Sequence, residues 1–575
     1  MKAFNRNIGI LFFLFLFYSC ANVVAPTGGP KDIESPKIES SIPLNKSTNF
    51  NTNEVLIYFD EFVQLKNLQA ELVVSPPMEE TPEIKSLGKK ISIKILDSLS
   101  QDQTYTLNFG EAIIDITESN TLKNFAYIFS TGSNLDSIQM SGKVLKAFSF
   151  AAPEKAFVLL YSNLNDTAPL TTIPDYIAKC NKNGDFKIQN IKPSVYKIYA
   201  IADANNNYKF DLPNELFAFN DSIYTLNYDY LKDSLSKAVN DIELILFEEE
   251  PIKRYVKEKK RETRNLCLAV FNLPLEEKVK IKFLKSDLSN NYVFEFNKSN
   301  DSLKIWLTDS VQIKKDTTSF VFNYFYFDNQ DSVVEVLDTV HFTYKETKDS
   351  KTKFSMESLL HKTGNVSEHI PIQFIFSSPL SKIDTSMIHL VELVDSIKKP
   401  IPFSINPDSI KLTKYTLDFS RKVKSTYLFT ADSGAFKSIN NQELDSLKFL
   451  FKIVPNEKTG NLFVTLSNVN PNVIIQLVSD KDKIISEKIV SKSQKIEFKN
   501  LSEGSYKLKA IFDENKNGRW NSGKYIKKQQ VEDVKIYSTD ITLKLNWDFE
   551  IQWDLNEKTE RKSIVPEIKP LKDKK

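Results

Sequence analysis

Apolar and polar residues alternate along most of this chain, a pattern that leaves little room for anything except half-buried β-strands. Lys90-Ile91-Ser92-Ile93-Lys94-Ile95 alternates cleanly, as do Thr104-Tyr105-Thr106-Leu107-Asn108-Phe109 and Tyr196-Lys197-Ile198-Tyr199. A strand turns successive side chains to opposite faces, so a period of two puts one face in a core and the other in water. The runs are rich in Ile, Tyr, Phe and Thr, and Asn, Asp, Pro and Ser stand between them as turn residues. Short strands at such spacing build sandwiches. A length of 575 residues exceeds what one core can organise. The chain is therefore expected to be all-β, a multi-domain string of β-sandwiches. One stretch departs from the pattern. Residues 249–265 are dense in charge, with Lys253, Arg254, Lys257, Lys259, Lys260, Arg261 and Arg264, and read as an exposed linker with some helix. A basic binding arm is the other reading.

Internal repetition constrains the chain further. Residues 187–211 align without gaps to residues 497–521, at a constant offset of 310. Asn190, Tyr196, Lys197, Ala200, Ile201, Asp203, Asn205 and Asn207 meet identical residues in the second copy. A strand followed by an acidic, Asn-rich loop thus occurs twice. A looser repeat opens on Val55-Leu56-Ile57-Tyr58-Phe59 and again on Ile372-Gln373-Phe374-Ile375-Phe376. Each passes through a Thr-Tyr strand, at Thr104-Tyr105 and Thr426-Tyr427, to a closing Phe-rich strand.

The N-terminus has the form of an export signal. Lys2 and Arg6 precede an apolar run from Ile8 to Phe17, broken only by Gly9. Such a run is too short to span a bilayer, which takes about 20 apolar residues, and reads as a signal peptide. It ends in Phe17-Tyr18-Ser19-Cys20. A lone cysteine straight after an apolar core resembles a bacterial lipobox. There the thiol, nucleophilic as its thiolate, accepts a diacylglyceryl group. The alternative is an ordinary signal peptide with an incidental cysteine. The resemblance implies several acyl chains, and each buried methylene contributes roughly 0.8 kcal/mol to anchoring. Thr27-Gly28-Gly29-Pro30-Lys31-Asp32 lacks apolar periodicity and reads as a flexible tether. Placed so close to Cys20, it resembles the tethers of Bacteroidetes-type lipoproteins.

Two further resemblances concern the body. Pro43, Asn45, the Ile57-Tyr58-Phe59-Asp60-Glu61-Phe62-Val63 strand, Val74-Ser75-Pro76-Pro77 and the closing Tyr127-Ile128-Phe129-Ser130-Thr131 resemble the bacterial Ig-like domain of surface-layer proteins. Residues 369–453 resemble it more weakly and lack the Ser-Pro-Pro element. Gly184-Asp185-Phe186 with Tyr196 to Asp203, and Gly504-Ser505-Tyr506 through Gly518, resemble transthyretin-like or carboxypeptidase-regulatory-like modules. The expected order is a signal peptide (1–19), a lipidated tether (20–36), an Ig-like domain (37–133) and a transthyretin-like sandwich (137–248). The charged linker (249–265), a β domain of unclear type (266–347), a second Ig-like domain (352–455) and a second transthyretin-like sandwich (459–548) follow. A Lys-rich solvated tail (549–575) ends the chain.

Chemistry is sparse. Lys and Arg number 76 against 74 Asp and Glu, interspersed throughout, which argues against a nucleic-acid partner, since that calls for a clustered basic face. Apart from Cys20, only Cys180 and Cys267 occur, in different expected domains, so two buried free thiols are expected and not a disulfide. No Gly-x-Ser-x-Gly, His-Glu-x-x-His, Cys-x-x-Cys or phosphate-binding loop is present. His341, His361, His369 and His389 lack ligand spacing. Trp520, Trp547 and Trp553 could stack on sugars, but core packing is the commoner use of such rings.

The two loops offer the one metal candidate. Asp203, Asn205, Asn207 and Asp211 in the first, and Asp513, Asn515, Asn517 and Asn521 in the second, set oxygens at alternate positions. Such a set can converge on calcium. The EF-hand wants Gly at position six and Glu at twelve. The first loop has Tyr208 and Asn214 there, the second Gly518 and Lys524, so neither is an EF-hand. The other reading is an Asx turn, with Asp and Asn capping their own backbone.

The expectation is a lipid-anchored lipoprotein of the cell outer membrane, not an enzyme, working as an adhesion or scaffold module on an envelope protein or glycan. Its alternative is a carbohydrate-binding accessory lipoprotein. The periplasmic face or the cell surface could hold it. The tether lacks the acidic cluster beside the cysteine that often marks surface export in this bacterial group, which leans towards the periplasmic face. On detergent phase partition, the full chain made in such a host is expected in the detergent phase, and Cys20→Ser in the aqueous phase. Equal partition of the two would remove the lipid.

Overall fold

In the computed structural model, residues 31–557 are described, apart from 228–237, 285–291, 329, 346–352, 362–363, 395–396, 456–458, 471 and 482. Cys20, its tether up to residue 30 and the tail beyond 557 lie outside the described residues. The chain divides into two compact units. Unit 1 takes residues up to 145 with 152–211 and 218–244; unit 2 takes 146–151, 212–217 and everything from 245 onwards. The described residues are nearly all strand and turn. None of their helices is long and apolar enough to cross a membrane.

Unit 1 opens with the expected sandwich. Ile38–Ile42, Glu54–Phe59, Lys90–Lys94 and Glu83–Ser86 make one sheet in that order, and Ala126–Ser130, Thr104–Asn108 and Val73–Ser75 make the facing one. The alternation read from sequence decides which side chains meet. Val55, Ile57, Phe59, Ile91 and Ile93 face Leu107, Tyr127 and Phe129, each at most 1% exposed. Burying one such side chain contributes roughly 1.5–3 kcal/mol. Tyrosine hydroxyls pin the chain where it leaves the sheets. Tyr127 donates to Pro43 O at 2.9 Å, and Tyr105 Oη accepts from Ser100 N at 2.9 Å.

The first Asn-loop module follows. Phe157–Tyr161 pairs antiparallel with Tyr176–Lys179 on one side and Ser194–Ala202 on the other. Ile138–Lys146 pairs with Asp185–Ile191. Unit 2 holds the second copy with the same pairings. Asn472–Ser479 lies between Ile484–Val490 and Gly504–Asp513, and Gly460–Ser467 pairs with Lys495–Leu501. In both copies a tyrosine hydroxyl closes the turn before the long strand, Tyr196 onto Lys192 O at 2.9 Å and Tyr506 onto Ser502 O at 2.8 Å.

The weaker repeat is also visible in topology. Met356–Ser358, Ile372–Phe376, Lys414–Phe419 and Phe403–Pro407 form one sheet. Asn365–Ser367, Leu447–Val454, Thr426–Ala431, Ile388–Val394 and Ile397–Pro400 form the other. Tyr427 Oη accepts from Lys422 N at 2.9 Å, the counterpart of the Tyr105 contact. This block adds a strand that the first one lacks, Ile397–Pro400, which edges the sheet with Lys398, Lys399 and Pro400.

Two expectations are corrected. The charged segment 249–265 is neither linker nor helix through its length, because Val256–Arg261 is a strand antiparallel to Leu266–Phe271. That sheet continues through Ser302–Leu307 to Tyr292–Phe296 and faces Lys280–Phe283, Thr317–Phe327 and Val333–Thr343. Edge strands are commonly guarded by charge against stray pairing, and Lys257, Glu258, Lys259 and Lys260 are all exposed on this one. Arg261 closes it, with a guanidinium 5% exposed that donates to the carbonyls of Lys315 at 2.7 Å and Asp316 at 3.2 Å. The segment's charge masked its strand character.

The tail does not begin at 549. Asp548–Asp554 is a strand running parallel to Gly460–Ser467, and Phe549-x-Ile551-x-Trp553 supplies its inward face. Trp553 is 4% exposed within the module core. Trp553→Ala should cost about 3–5 kcal/mol and lower the denaturation midpoint of the corresponding transition in the full chain. An unchanged midpoint would mean that the strand is dispensable.

Candidate functional site

The Asp/Asn loops are closed by their own hydrogen bonds. Asp203 is 5% exposed. Its Oδ1 accepts from Asn205 N at 3.1 Å and Asn206 N at 2.6 Å, and its Oδ2 from Tyr208 N at 2.8 Å. The amide nitrogens of Asn205 and Asn207 donate to the two oxygens of Asp211, at 3.1 and 2.7 Å. In the second copy Asp513 accepts from Asn517 N and Gly518 N, both at 3.0 Å, while Asn515 Nδ2 donates to Asn521 Oδ1 at 3.1 Å. A buried carboxylate, Glu532, stands behind this second loop and accepts from Glu514 N and Asn521 N, at 3.1 and 2.8 Å. Burial pushes its carboxyl above the usual range.

The structure thus brings each sequence-predicted set together, with amide donors turned on the oxygens a cation would need. Among the described residues, no group of three or more His, Cys, Asp or Glu side chains could hold a metal ion. Asp115 uses the same device, taking three backbone N–H groups of residues 118–120 at 2.7–2.9 Å in a loop with no metal-like spacing. Tyr208 and Gly518 occupy one position and both have positive φ, 59° and 77°. Glycine adopts that conformation freely. Tyr208 is held in it by its N–H on Asp203 and by its ring edge-on to Phe157, 5.2 Å between centroids.

The other candidates resolve individually. Cys180 and Cys267 are both free and buried, and burial pushes each thiol up to about 12. Trp553 is core, and Trp520 donates its indole N–H to Glu532 O at 3.1 Å. Only Trp547 among the three is largely exposed, at 57%, with Lys544 Nζ 5.4 Å from its ring.

Sequence reading missed the joint inside unit 1. Ile177 N donates to Ser75 Oγ at 3.1 Å, Gln103 Nε2 to Tyr176 Oη at 2.9 Å and Asn190 Nδ2 to Thr106 Oγ1 at 2.8 Å. Lys179 Nζ meets Glu71 Oε1 at 3.0 Å. Thr104 and Asp136 hold the connecting segment through a 2.8 Å side-chain bond and a 2.9 Å bond from Asp136 N. These contacts fasten Val73–Ser75 and Thr104–Asn108 of the first sandwich to Tyr176–Lys179 and Asp185–Ile191 of the next module. The signal was present in the repeat: at the same offset, Tyr176-Ile177-Ala178 becomes Ser486-Glu487-Lys488. The first set is 2–7% exposed.

Residues 32–131, the stretch that forms the first sandwich, match the model of a bacterial Ig-like domain. No curated protein matches the chain. Among solved structures, domains 1–6 of the surface layer protein SbsC are 10% identical with a TM-score of 0.14, covering 89% of this chain and 67% of that one. The Bacillus anthracis TIE protein is 11% identical at TM-score 0.14 and covers 92% and 76%. The BSP domain of a biofilm associated protein is 8% identical at 0.14 and covers 84% and 96%. Likeness at that level says nothing about function.

Writing the second copy's residue into the first tests the joint. Ile177→Glu should leave the circular dichroism of the full chain unchanged and speed proteolysis within residues 131–137. Unchanged cleavage would show that the contact does not hold the modules.

Proposed function

We propose that this chain is an envelope lipoprotein that works by contact, as a scaffold or adhesion module, and carries out no catalysis. The lipid sits on Cys20, and the outer membrane holds the chain at its periplasmic face or at the cell surface. The observation that carries the reading is the joint in unit 1. Adjoining domains commonly move against one another, yet here side chains from both modules lock a shared edge. A fixed angle between modules suits a protein that sets distance and presents sheet edges, and an envelope protein is the partner it fits. A catalyst would need converging titratable groups, and the sequence offers no motif that assembles them. Calcium has no part in this reading, because the Asp and Asn side chains of both loops serve the loops themselves. The carbohydrate-binding alternative draws support from Trp547, the exposed indole of the three.

Fractionation with protease shaving of intact cells tests the proposal. The full chain should sediment with the outer membrane, and cross-linking in the cell should join it to an envelope protein in a manner that Ile177→Glu weakens. Recovery from the cytoplasm would end the reading.

A further inference from the structure

A polar cavity of about 340 Å³ lies within unit 2, where the second Asp/Asn loop meets the segment leading into the charged edge strand. Its size falls at the low end of small-ligand sites, roughly 300–1,000 Å³. Arg254, Arg519 and Lys524 line it with Glu250 and Glu276, one positive charge in excess, and amides and a hydroxyl complete the wall. No apolar side chain faces in, which excludes a greasy occupant.

Arg254 is the decisive group. It is 7% exposed, and burial lowers its pKa from the usual guanidinium value. Its Nε and Nη1 are spent on the carbonyls of Pro274, Pro251 and Ile252, at 3.2, 2.6 and 3.1 Å. Its Nη2 stands 4.0 Å from Glu276 Oε1, beyond hydrogen-bond reach, and Glu250 and Glu276 are the carboxylates whose charge it feels. Because Arg254 lines the cavity, its Nη2 is the guanidinium donor left for an occupant. Across the cavity, Arg519 holds Glu250 through one nitrogen at 3.2 Å. The Oδ1 of Asn517 is taken by Arg519 N at 3.0 Å, leaving the amide nitrogen as its donor. The lining's cations exceed its carboxylates by one, and guanidinium groups match a carboxylate in geometry as well as charge. Glu250 and Glu276 can in turn accept from hydroxyls.

We infer that this cavity binds a carboxylate-bearing sugar, its acid group on Arg254 and Arg519 and its hydroxyls on the carboxylates and amides. The site adds a ligand to the contact role proposed above and does not depend on it. A free uronate and the acidic end of a polysaccharide share this chemistry.

Calorimetric titration of the full chain with glucuronate, a glucuronate-terminated oligosaccharide, glucose and acetate tests the inference. Saturable binding of either uronate at least tenfold tighter than glucose and acetate is expected. Arg519→Ala should weaken it at least tenfold, with thermal unfolding unchanged. If Arg519→Ala alters unfolding, Lys524→Ala replaces it, with weakening again expected. Preference for the oligosaccharide would name the polymer as source; equal binding would name the free sugar. No saturable uronate binding, binding matched by glucose or acetate, or affinity unchanged in the folded variant would overturn the inference. None of these outcomes bears on the scaffold reading, which rests on the joint.

Discussion

Unpaired strand edges are the constraint on which this architecture turns. Each sandwich ends in strands whose outer N–H and C=O groups have no ladder partner, and such edges recruit other chains unless covered or guarded. The protein uses different solutions at different edges. Tyr176–Lys179 is covered by the preceding module, through Ser75 and Glu71. Val256–Arg261 is guarded by consecutive charged side chains. Ile397–Pro400 combines two lysines with a proline. What looks like variation among repeated modules is largely variation in how an edge is satisfied.

That view accounts for what could be read from the chain and what could not. The alternation that placed Ile57, Ile91 and Leu107 in a core was legible because burial imposes a period of two on any half-covered strand. The Thr-Tyr strands were legible because a buried ring with a hydroxyl near the surface has few places to go. Val256–Arg261 was not, because an exposed edge strand exerts little demand for apolar residues. Asp548–Asp554 was obscured by the Lys-rich stretch that follows it. The joint was hidden for another reason. A contact between modules has no period, and only comparison of Tyr176-Ile177-Ala178 with Ser486-Glu487-Lys488 exposes it.

The candidate site shows the same asymmetry. Oxygen side chains at alternate positions mark two loops in the sequence, and Asp203 and Asp513 are both buried at the heart of their turns. Whether such oxygens face a cation or their own backbone is a matter of which atoms point inward, and spacing does not carry that information. Nor could spacing bring Arg254 to Arg519, which lie far apart in sequence and line one cavity only after folding.

The closing strand of the last module carries a mechanical consequence. Gly460–Ser467 and Asp548–Asp554 are the module's first and last strands, and they run parallel over seven registered positions. Asn365–Ser367 and Lys452–Val454 are joined in the same sense. Tension applied to the two ends of such a module loads those bonds in shear, all at once, whereas an antiparallel closure would peel open one rung at a time. A body tethered at one end and gripped at the other would thus resist extension at its seams before its cores are disturbed.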